Sequence, residues 1–285
     1  AACDLDLCTF SSSLFLSRPI AQSDNPRVDP TYRFGSSLSG QKEPHHGVEF
    51  PNSFGTPVLS AGDGIVVVAG TDIDPTSPRG VWPITYYGPY YNFYGNLVII
   101  EHLAPAGLAQ LFPELSQPVY SLYAHLSQIA VQVGEQVEAG QEIGKVGMSG
   151  IAEGPHLHFE VRLGAETYTS YKSSHNPELW LQPNPDENGQ PLGALAVRFL
   201  DSYGGYIEVP SIVIEHLPDG PDQPKDPANP ALQISLVTYE EKGLRGQPPF
   251  TESLGINDLP PGWYRINYPR NGMQKVLVQV LSGQL

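Results

Sequence analysis

Gly154-Pro-His-Leu-His-Phe-Glu-Val-Arg162 is the stretch of the sequence that is most informative about the fold. Polar and apolar residues alternate in it, which predicts a β-strand with two different faces. Residues two apart on a strand point to the same face, so His156 and His158 project together while the residues between and after them point to a core. A lone histidine is usually structural, but two neighbouring imidazoles on one sheet face indicate a binding or catalytic site. Glu160 follows the same parity and is interpreted as an ordinary strand glutamate, with a partner that orients a histidine as the alternative.

Short strands separated by turns precede this stretch. Apolar and β-branched runs predict strands at residues 56–60, 65–69, 96–102, 119–125 and 143–146. Ala61-Gly-Asp-Gly64 between the first two runs predicts a hairpin. Residues 71–94 are rich in Pro, Gly and Tyr and predict a long loop, and residues 107–115 are compatible with a short helix. The tyrosines from Tyr86 to Tyr94 either line a peptide groove or pack this loop.

A second group of strands follows residues 182–190, a linker by its Pro, Asn, Asp and Gly content. Alternating runs predict strands at residues 194–200, 205–209, 232–238, 262–268 and 275–280, which is typical of a small β-sandwich. Asp258-Leu-Pro-Pro-Gly-Trp-Tyr-Arg265 resembles a turn of transthyretin-like and carboxypeptidase-regulatory-like sandwiches. The predicted fold class is therefore all-β. The expected division is a leader at 1–40 packed on the first domain, a first domain at 41–181, the linker, and a second domain at 191–285.

The composition excludes several classes of protein. The 285 residues include 30 acidic and 15 basic side chains, a formal net charge of −15. Nucleic acid is not expected as a partner, because phosphate binding requires clustered Lys and Arg. No run of about 18 apolar residues is present, so no transmembrane helix is expected.

The two cysteines lie together near the start of the sequence. Ala1-Ala2-Cys3 is similar to the end of a lipoprotein signal, with Cys3 as the lipidated residue. The alternative is a small disulfide loop between Cys3 and Cys8. Both interpretations predict a protein outside the cytoplasm, that is secreted, periplasmic or at the cell surface.

A metal site is predicted from the other histidines. His45 and Glu49 are four residues apart and share a face in a strand or a helix. One histidine and one carboxylate from this segment, with one histidine of the later pair, make three nitrogen and oxygen ligands, the number that catalytic zinc takes. His125 ends a predicted strand and is placed to meet His156 outside the metal shell. The remaining histidines have no partner in the sequence and are expected on the surface: His102, His175 and His216.

At this point the sequence resembles the lysostaphin/LytM-type zinc endopeptidases, which share the duplicated hybrid motif fold, an antiparallel sheet or open barrel. The match runs over roughly the first 180 residues. Its main segments are Tyr32-Arg-Phe-Gly35, His45, Gly55-Thr-Pro-Val58, Asp63-Gly64, Gly95-Asn96, Tyr123-Ala-His-Leu-Ser127, Val133-Gly134, Gly140-Gln141 and Gly154-Pro-His-Leu-His-Phe159. The resemblance implies a Zn²⁺ cofactor, with His45 and His158 as ligands and with His125 and His156 as an acid/base or oxyanion-stabilising pair. It also implies cleavage of peptide cross-links in bacterial peptidoglycan. Asn96 and Tyr123 are candidate substrate-binding residues, the latter because it shares the face of His125 by parity.

The sequence departs from the family pattern at one ligand. The family has Asp where this chain has Glu49, and the extra methylene moves the carboxylate oxygen by about 1.5 Å unless the backbone compensates. One interpretation is a retuned but working site, which is preferred because the other members are intact. The alternative is a catalytically silent relative that binds peptidoglycan or regulates another wall hydrolase. His46 is a weaker candidate ligand, since its side chain would face away from the side shared by His45 and Glu49.

Overall fold

The computed structural model describes residues 2–4, 7–10, 14–72, 87–89, 92–105, 110, 113–164, 170–222 and 232–285. Strands form most of the regular structure in these ranges, which confirms the predicted all-β class. In chain order they are β1 Ala2–Asp4, β2 Leu7–Thr9, β3 Val48–Pro51, β4 Pro57–Leu59, β5 Gly64–Thr71, β6 Asn96–His102, β7 Val119–Ala124, β8 Gln128–Ile129, β9 Gln136–Val137, β10 Glu142–Lys145, β11 His156–Leu163, β12 Ser174–His175, β13 Gly193–Val197, β14 Ile212–Leu217, β15 Gln233–Leu236, β16 Leu254–Leu259, β17 Gly262–Pro269 and β18 Met273–Val280. Short 3-10 helices lie at Pro113–Ser116, Tyr171–Ser173, Pro177–Leu179 and Lys242–Leu244. Among the described residues, no helix has the length and apolar character needed to cross a membrane.

The chain divides into two compact units. The first unit consists of Phe15–Phe34 and His45–Gln182, and the second of Ala1–Leu14, Gly35–Pro44 and Pro183–Leu285. The expected leader, residues 1–40, is thus divided between the units. Its residues 15–34 belong to the first unit, whereas residues 1–14 and 35–40 belong to the second. The amide of Glu240 donates to the carbonyl of Gly35, which ties residues 35–44 to the second unit. The predicted domain bounds themselves stay a prediction.

The first unit is built on an antiparallel sheet in the order β12-β11-β7-β6-β5-β9. β7 pairs with β11 over its whole length, and the other edge of β11 pairs with β3 in its first half and with β12 in its second half. A smaller sheet has the order β4-β10-β8. β11 is therefore enclosed on both edges, and its first seven residues are buried on both faces.

The predicted hairpin around Ala61-Gly-Asp-Gly64 is wrong. The strands before and after it, β4 and β5, pair with β10 and with β6 and β9, so the turn connects two sheets. The backbone of Ser60 bonds to Gly140 and Gln141, which extends the pairing of β4 with the segment that leads into β10. Gly64 lies so close to the carbonyl of Glu101 that an added Cβ would be 2.3 Å from it. The turn signal was correct locally, but tertiary pairing chose other partners.

The second unit contains a four-stranded antiparallel sheet in the order β15-β14-β17-β18 and a pair of strands, β13 and β16. One buried apolar cluster draws on both sheets; its members include Ile212, Ile214, Leu254, Ile256, Tyr264 and Val278. Residues 205–209, a predicted strand, form only an isolated bridge between Leu200 and Tyr206. β14 and β16 were not predicted. The description of this unit as a β-sandwich stays a prediction.

Two smaller expectations concern the cysteines and one histidine. Cys3 lies directly opposite Cys8 in the antiparallel register of β1 and β2; lipidation of Cys3 and a disulfide both stay predictions. His102 was expected on the surface, but it is 2% exposed. Its ring nitrogens lie 2.8 Å from the carbonyl oxygen of Asp63 and 2.6 Å from Ser121 Oγ. A hydrogen-bonded core position therefore satisfies this imidazole, as buried polar groups require.

Candidate metal centre

Strand pairing brings the predicted ligands together. In the register of β3 against β11, Glu49 lies directly opposite His158. On the other edge, the last residue of β7 lies opposite His158, so His125 follows at the same end of the sheet. His45 precedes β3 by three residues and reaches the same place. Residues remote in sequence thus meet around the first half of β11.

Three of these side chains form a compact ligand set. His45 Nε2 lies 3.2 Å from His158 Nδ1. Glu49 Oε1 lies 3.6 Å from the first of these nitrogens and 3.9 Å from the second. All three atoms lie within 4.8 Å of one another. The two histidine side chains are 5% exposed and that of Glu49 is 21% exposed, so solvent reaches the cluster from the carboxylate side.

The tautomers of the two histidines are set by their outer hydrogen bonds. His45 Nδ1 lies 2.8 Å from the carbonyl oxygen of Tyr32, an acceptor, and therefore carries the proton. His158 Nε2 lies 3.0 Å from Glu160 Oε1, also an acceptor, and carries its proton there. With those protons directed outward, the inner nitrogens lie 3.2 Å apart, where either one further proton or a metal ion can lie between them. Two imidazoles and one carboxylate are the donor set that zinc accepts, so these residues fit the ion.

The electrostatics of the cluster lead to the same conclusion. Burial, followed by the charge of His158, lowers the pKa of His45 to about 3. Burial opposes the charge of His158 as well, but the hydrogen bond with Glu160 and the nearby carboxylate of Glu49 raise its pKa to about 9. Burial also opposes ionisation of Glu49, yet the close contact with His156 and the charge of His158 hold its pKa well below the usual range. The metal-free cluster thus holds one positive charge between two imidazoles and a carboxylate, and a metal ion would replace the proton.

His125 and His156 lie beside the ligand set. Their ring centroids are 4.8 Å apart, and His125 is 5.7 Å from the ring of His158. His125 Nδ1 is 2.8 Å from the carbonyl oxygen of Ser149, and His156 Nδ1 is 2.8 Å from that of Gly154. Each Nδ1 therefore donates, and each Nε2 is left as the basic nitrogen. His156 Nε2 lies 2.9 Å from Glu49 Oε2, a contact in which a proton is shared when His156 is charged.

The backbone at His125 has an uncommon conformation. Its φ is +61°, in the left-handed region that residues other than glycine rarely adopt. The amide of His125 donates to the carbonyl of Tyr94, which helps to hold the turn. Such strain occurs preferentially at functional sites. Burial, followed by the charges of His158 and His156, lowers the pKa of His125 to about 3, so the imidazole is neutral at pH 7.

The predicted substrate-binding residues are placed differently from each other. Tyr123 is fully buried, and its hydroxyl accepts from the amide of Ala61 and from Ser121 Oγ. The structure therefore does not bring Tyr123 to the site, because the strand parity that linked it to His125 ends at Ala124. Asn96 is half-buried, and its Nδ2 donates to the carbonyl of Leu126, which ties down the loop after His125.

His46 lies outside the ligand set. Its Nδ1 is 2.8 Å from Ser174 Oγ and 3.0 Å from the carbonyl oxygen of Tyr171, on whose ring it stacks. These contacts hold the ring against Tyr171 and Ser174, and His46 is not a member of the cluster of His45, Glu49 and His158. Part of the tyrosine-rich loop, residues 86, 90 and 91, lies outside the described residues, so its role in a groove stays a prediction.

Sequence reasoning missed three residues that shape the site. The ring of Tyr32 stacks on His45 with centroids 4.1 Å apart and an interplanar angle of 1°. Tyr94 and Arg162 both bond to Glu160, the partner of His158. Arg162 was accessible to sequence analysis, since it continues the period-two pattern of the histidine pair. Tyr32 was marked only as part of the family match and Tyr94 only as part of the tyrosine-rich loop, and neither pattern predicted a contact with a histidine ligand or its partner.

Comparison with known proteins supports the resemblance seen in the sequence. Residues 43–170 match the sequence model of Peptidase family M23. Peptidoglycan DD-endopeptidase ShyA of Vibrio cholerae is 30% identical over 155 residues, which cover 52% of this chain and 29% of ShyA. A solved zinc-containing peptidase from Vibrio cholerae is 28% identical and covers 52% of this chain and 36% of its own, with a TM-score of 0.35. The catalytic domain of lysostaphin from Staphylococcus simulans is 28% identical and covers 47% of this chain and 76% of its own, with a TM-score of 0.33.

The matched segment is a small part of each curated relative. The chain spans less than a third of the length of the curated relatives it matches. The predicted resemblance to lysostaphin/LytM-type peptidases is confirmed for the segment that contains the metal centre. Peptidases of this family are zinc enzymes, and the His45, Glu49 and His158 cluster lies inside the matched segment.

Proposed function

We propose that this chain, which carries a Peptidase family M23 domain at residues 43–170, hydrolyses peptide bonds in the cross-links of bacterial peptidoglycan with zinc as cofactor. The first support is the name of its relative ShyA, a peptidoglycan DD-endopeptidase. Because peptidoglycan lies outside the cytoplasmic membrane, the same proposal places the protein outside the cytoplasm.

One observation carries the proposal. The inner nitrogens of His45 and His158 face each other at 3.2 Å, and each has its proton directed outward to a separate acceptor. A carboxylate oxygen of Glu49 completes a triangle with them. Three ligands from protein side chains leave room for a water or a substrate oxygen, which is the arrangement of catalytic rather than structural zinc.

The chemistry divides between the ion and the side chains. Zinc at such a site supplies Lewis acidity, which polarises the scissile carbonyl and activates water near neutral pH. The ring of His125 lies 5.7 Å from that of His158, and its orientation is fixed by the bond from Nδ1 to the carbonyl oxygen of Ser149, which leaves Nε2 as the basic nitrogen. It therefore acts as the general base that accepts a proton and later returns it to the leaving amine.

His156 has a different position from His125. Its Nε2 is 2.9 Å from the second oxygen of Glu49, so it is in direct electrostatic contact with the ligand carboxylate. In its charged form it donates to that oxygen or to an oxyanion that develops beside it. We assign to His156 the stabilisation of negative charge, and to His125 the transfer of the proton.

The direct test uses a defined substrate. A D,D-cross-linked muropeptide dimer should be converted to monomers by the zinc-loaded protein, as followed by liquid chromatography and mass spectrometry. Removal of the metal with a chelator should abolish the reaction, and zinc should restore it. A protein that holds one zinc ion yet leaves this dimer and whole peptidoglycan intact would contradict the proposal and favour a silent relative.

Glu49 separates a working site from a silent one. Its carboxylate already reaches the two histidines, and it lies opposite His158 in the β3–β11 register, so the backbone here suits Glu. Glu49→Asp should withdraw the oxygen by about 1.5 Å and weaken both zinc binding and hydrolysis by about tenfold or more. Zinc affinity and dimer cleavage should be measured on both forms side by side. A gain in activity from Asp would mean that Glu49 is a decayed ligand.

A further inference from the structure

The face of β11 that carries His156 and His158 continues into two fully buried charged residues. Glu160 and Arg162 are both 0% exposed. Arg162 Nε donates to Glu160 Oε2 at 2.8 Å. The remaining oxygen, Oε1, accepts from His158 Nε2 at 3.0 Å and also from the hydroxyl of Tyr94. Both oxygens of the carboxylate are thus engaged, and one of their partners is a metal ligand.

Arg162 and Tyr94 hold the carboxylate in place. Arg162 Nη2 donates to the Tyr94 hydroxyl at 2.8 Å and to the carbonyl of Tyr87 at 2.6 Å. Tyr94 itself is 0% exposed and packs in the apolar cluster that also contains Leu97 and Leu122. The cluster of Tyr94, Glu160 and Arg162 is therefore closed: each member bonds to the other two, and packing restricts each rotamer.

Stability does not account for this arrangement. A buried ion pair loses its hydration, and well-packed apolar residues of similar volume often stabilise a protein as much or more. The guanidinium of Arg162, 2.8 Å from Oε2, stabilises the charged form of the Glu160 carboxylate in this buried position, so the carboxylate remains an acceptor. A charged acceptor is thus maintained in an apolar environment next to the ring nitrogen of His158.

The other histidine ligand is supported in a simpler way. His45 Nδ1 donates to the backbone carbonyl of Tyr32, and Tyr32 stacks on its ring. A backbone carbonyl is placed by the chain itself, whereas a glutamate side chain has three rotatable bonds and needs further contacts to hold one position. Arg162 and Tyr94 supply such contacts for Glu160.

We propose that Glu160, held by Arg162 and Tyr94, is the positioning residue of the ligand His158. It keeps the proton on Nε2, so that Nδ1 presents its lone pair to the metal, and it sets the angle of the ring toward His45. Arg162 keeps Glu160 charged, and Tyr94 fixes the oxygen that accepts from His158. The part of this inference that concerns the metal rests on the proposed zinc function. The hydrogen bond between Glu160 and His158 does not depend on that function.

The test removes the polar cluster while retaining its volume. In the variant Tyr94→Phe/Glu160→Leu/Arg162→Met, no buried charge is left unpaired, so the metal-free protein should unfold within a few degrees of wild type. Its zinc affinity, measured by competition with a chelating dye, should fall about 10- to 100-fold, the usual effect of losing an outer partner. The visible spectrum of the cobalt-loaded protein should also change, because it reports ligand geometry. Tyr94→Phe alone keeps the bond from His158 to Glu160 and should lose less than tenfold.

A merely structural role predicts a different outcome. It would lower the Tm of the metal-free variants while the zinc affinity and the cobalt spectrum stayed at their wild-type values, and this result would overturn the inference. If the triple variant does not fold, Tyr94→Phe decides: reduced affinity at unchanged Tm supports positioning, and reduced Tm at unchanged affinity refutes it.

A failure of the proposed zinc function can be distinguished from a failure of the positioning role. If wild type binds no zinc, the inference is still decided by nuclear magnetic resonance of ¹⁵N-histidine-labelled protein. The Nε2 proton of His158 should be protected from exchange with water by its bond to Glu160 in wild type and should exchange faster in the triple variant, where that acceptor is lost. Equal exchange in both would refute the positioning role independently of zinc.

Discussion

β11 in the first unit and β17 in the second are both strands of eight residues with partner strands on both edges. They differ in how deeply their polar side chains are buried. In β17, Tyr264 and Ile266 are buried, while Trp263, Arg265 and Asn267 on the opposite face are half-exposed. In β11, both faces are buried for the first seven residues, including two histidines, a glutamate and an arginine. The same alternating pattern in the sequence thus produces one amphipathic strand and one strand with a buried polar face.

The difference teaches how a binding strand is distinguished from a structural one. On the polar face of β17, Arg265 pairs with Glu215 at 3.0 Å across strands; the two side chains are 15% and 6% exposed, so water still reaches the guanidinium. The polar face of β11 gives up hydration and is tolerated only because each group has a partner. We interpret the buried face as serving the metal centre, which can be tested residue by residue.

The largest effect is expected from the ligand on β11. His158→Ala should leave the protein without bound zinc and reduce cleavage of the muropeptide dimer by at least about 10⁴-fold, since the Lewis acid is lost. The matched control is His216→Ala in β14, which stacks on Tyr264 of β17 and should retain both zinc and activity. Metal analysis and dimer cleavage measure both variants. Full zinc occupancy in His158→Ala would remove this residue from the ligand set.

A smaller loss is expected from the histidine beside the ligands. His125→Ala should keep zinc and reduce the rate about 10²- to 10⁴-fold, the usual contribution of a general acid or base. Because φ at this position is +61°, His125→Asn is the better folded control, since Asn tolerates the left-handed region. Both variants should bind zinc as wild type does. Loss of the metal from both would show that His125 is a ligand.

The sequence correctly predicted which side chains of β11 project together at the site, but it did not predict the residues that surround them. Period-two spacing predicted that His156 and His158 project together, and the resemblance placed His45 and Glu49 beside them, as the structure does. The same parity failed for Tyr123, because one residue with positive φ after β7 changes the direction of His125. A local rule holds only while the backbone keeps the conformation that the rule assumes.

Long-range partners explain most of the other differences. Glu160 had two possible roles in the sequence, and its contact with Tyr94, 66 residues away, favours one of them. His102 had no partner in the sequence, but strand pairing carries it to Ser121 in the neighbouring strand β7. The hairpin around Ala61 failed for the same reason, since its strands found other neighbours. Contacts of this kind depend on topology, which local patterns do not contain.

The two arginines allow a direct comparison of the strands in terms of stability. Arg162→Met leaves the buried carboxylate of Glu160 without its cation and should cost about 3–5 kcal/mol. Arg265→Met in β17 also leaves a carboxylate without its cation, but the Arg265 and Glu215 side chains keep 15% and 6% exposure, so water compensates part of the charge and the cost should be smaller than that of Arg162→Met. Urea unfolding followed by circular dichroism should be measured for each unit's transition. Equal costs would mean that β11 and β17 do not differ in the way that burial suggests.

Each unit contains a buried glutamate, Glu160 in the first and Glu252 in the second. Glu252 is 5% exposed and accepts from the Tyr239 hydroxyl at 3.1 Å. Among the described residues, no basic side chain forms an ion pair with it. Without a cation, burial raises the pKa of Glu252 from 4.5 to about 7, the opposite direction from Glu160.

This difference predicts a pH dependence confined to the second unit. A raised carboxyl pKa means that the folded state holds the proton more tightly, so its stabilising contribution is complete below pH 4.5 and is lost as the pH rises to about 7. The loss should be at most about 3 kcal/mol, from a shift of about 2.5 pKa units. Glu252→Gln keeps an acceptor for Tyr239 and cannot ionise, so it should lack this dependence and be the more stable form at pH 8. Hydrogen exchange of the amides in β16, corrected for intrinsic rates, should be compared at pH 5 and pH 8. Parallel pH dependence in wild type and Glu252→Gln would show that Glu252 titrates normally, and that a buried carboxyl in this chain can stay charged without an arginine.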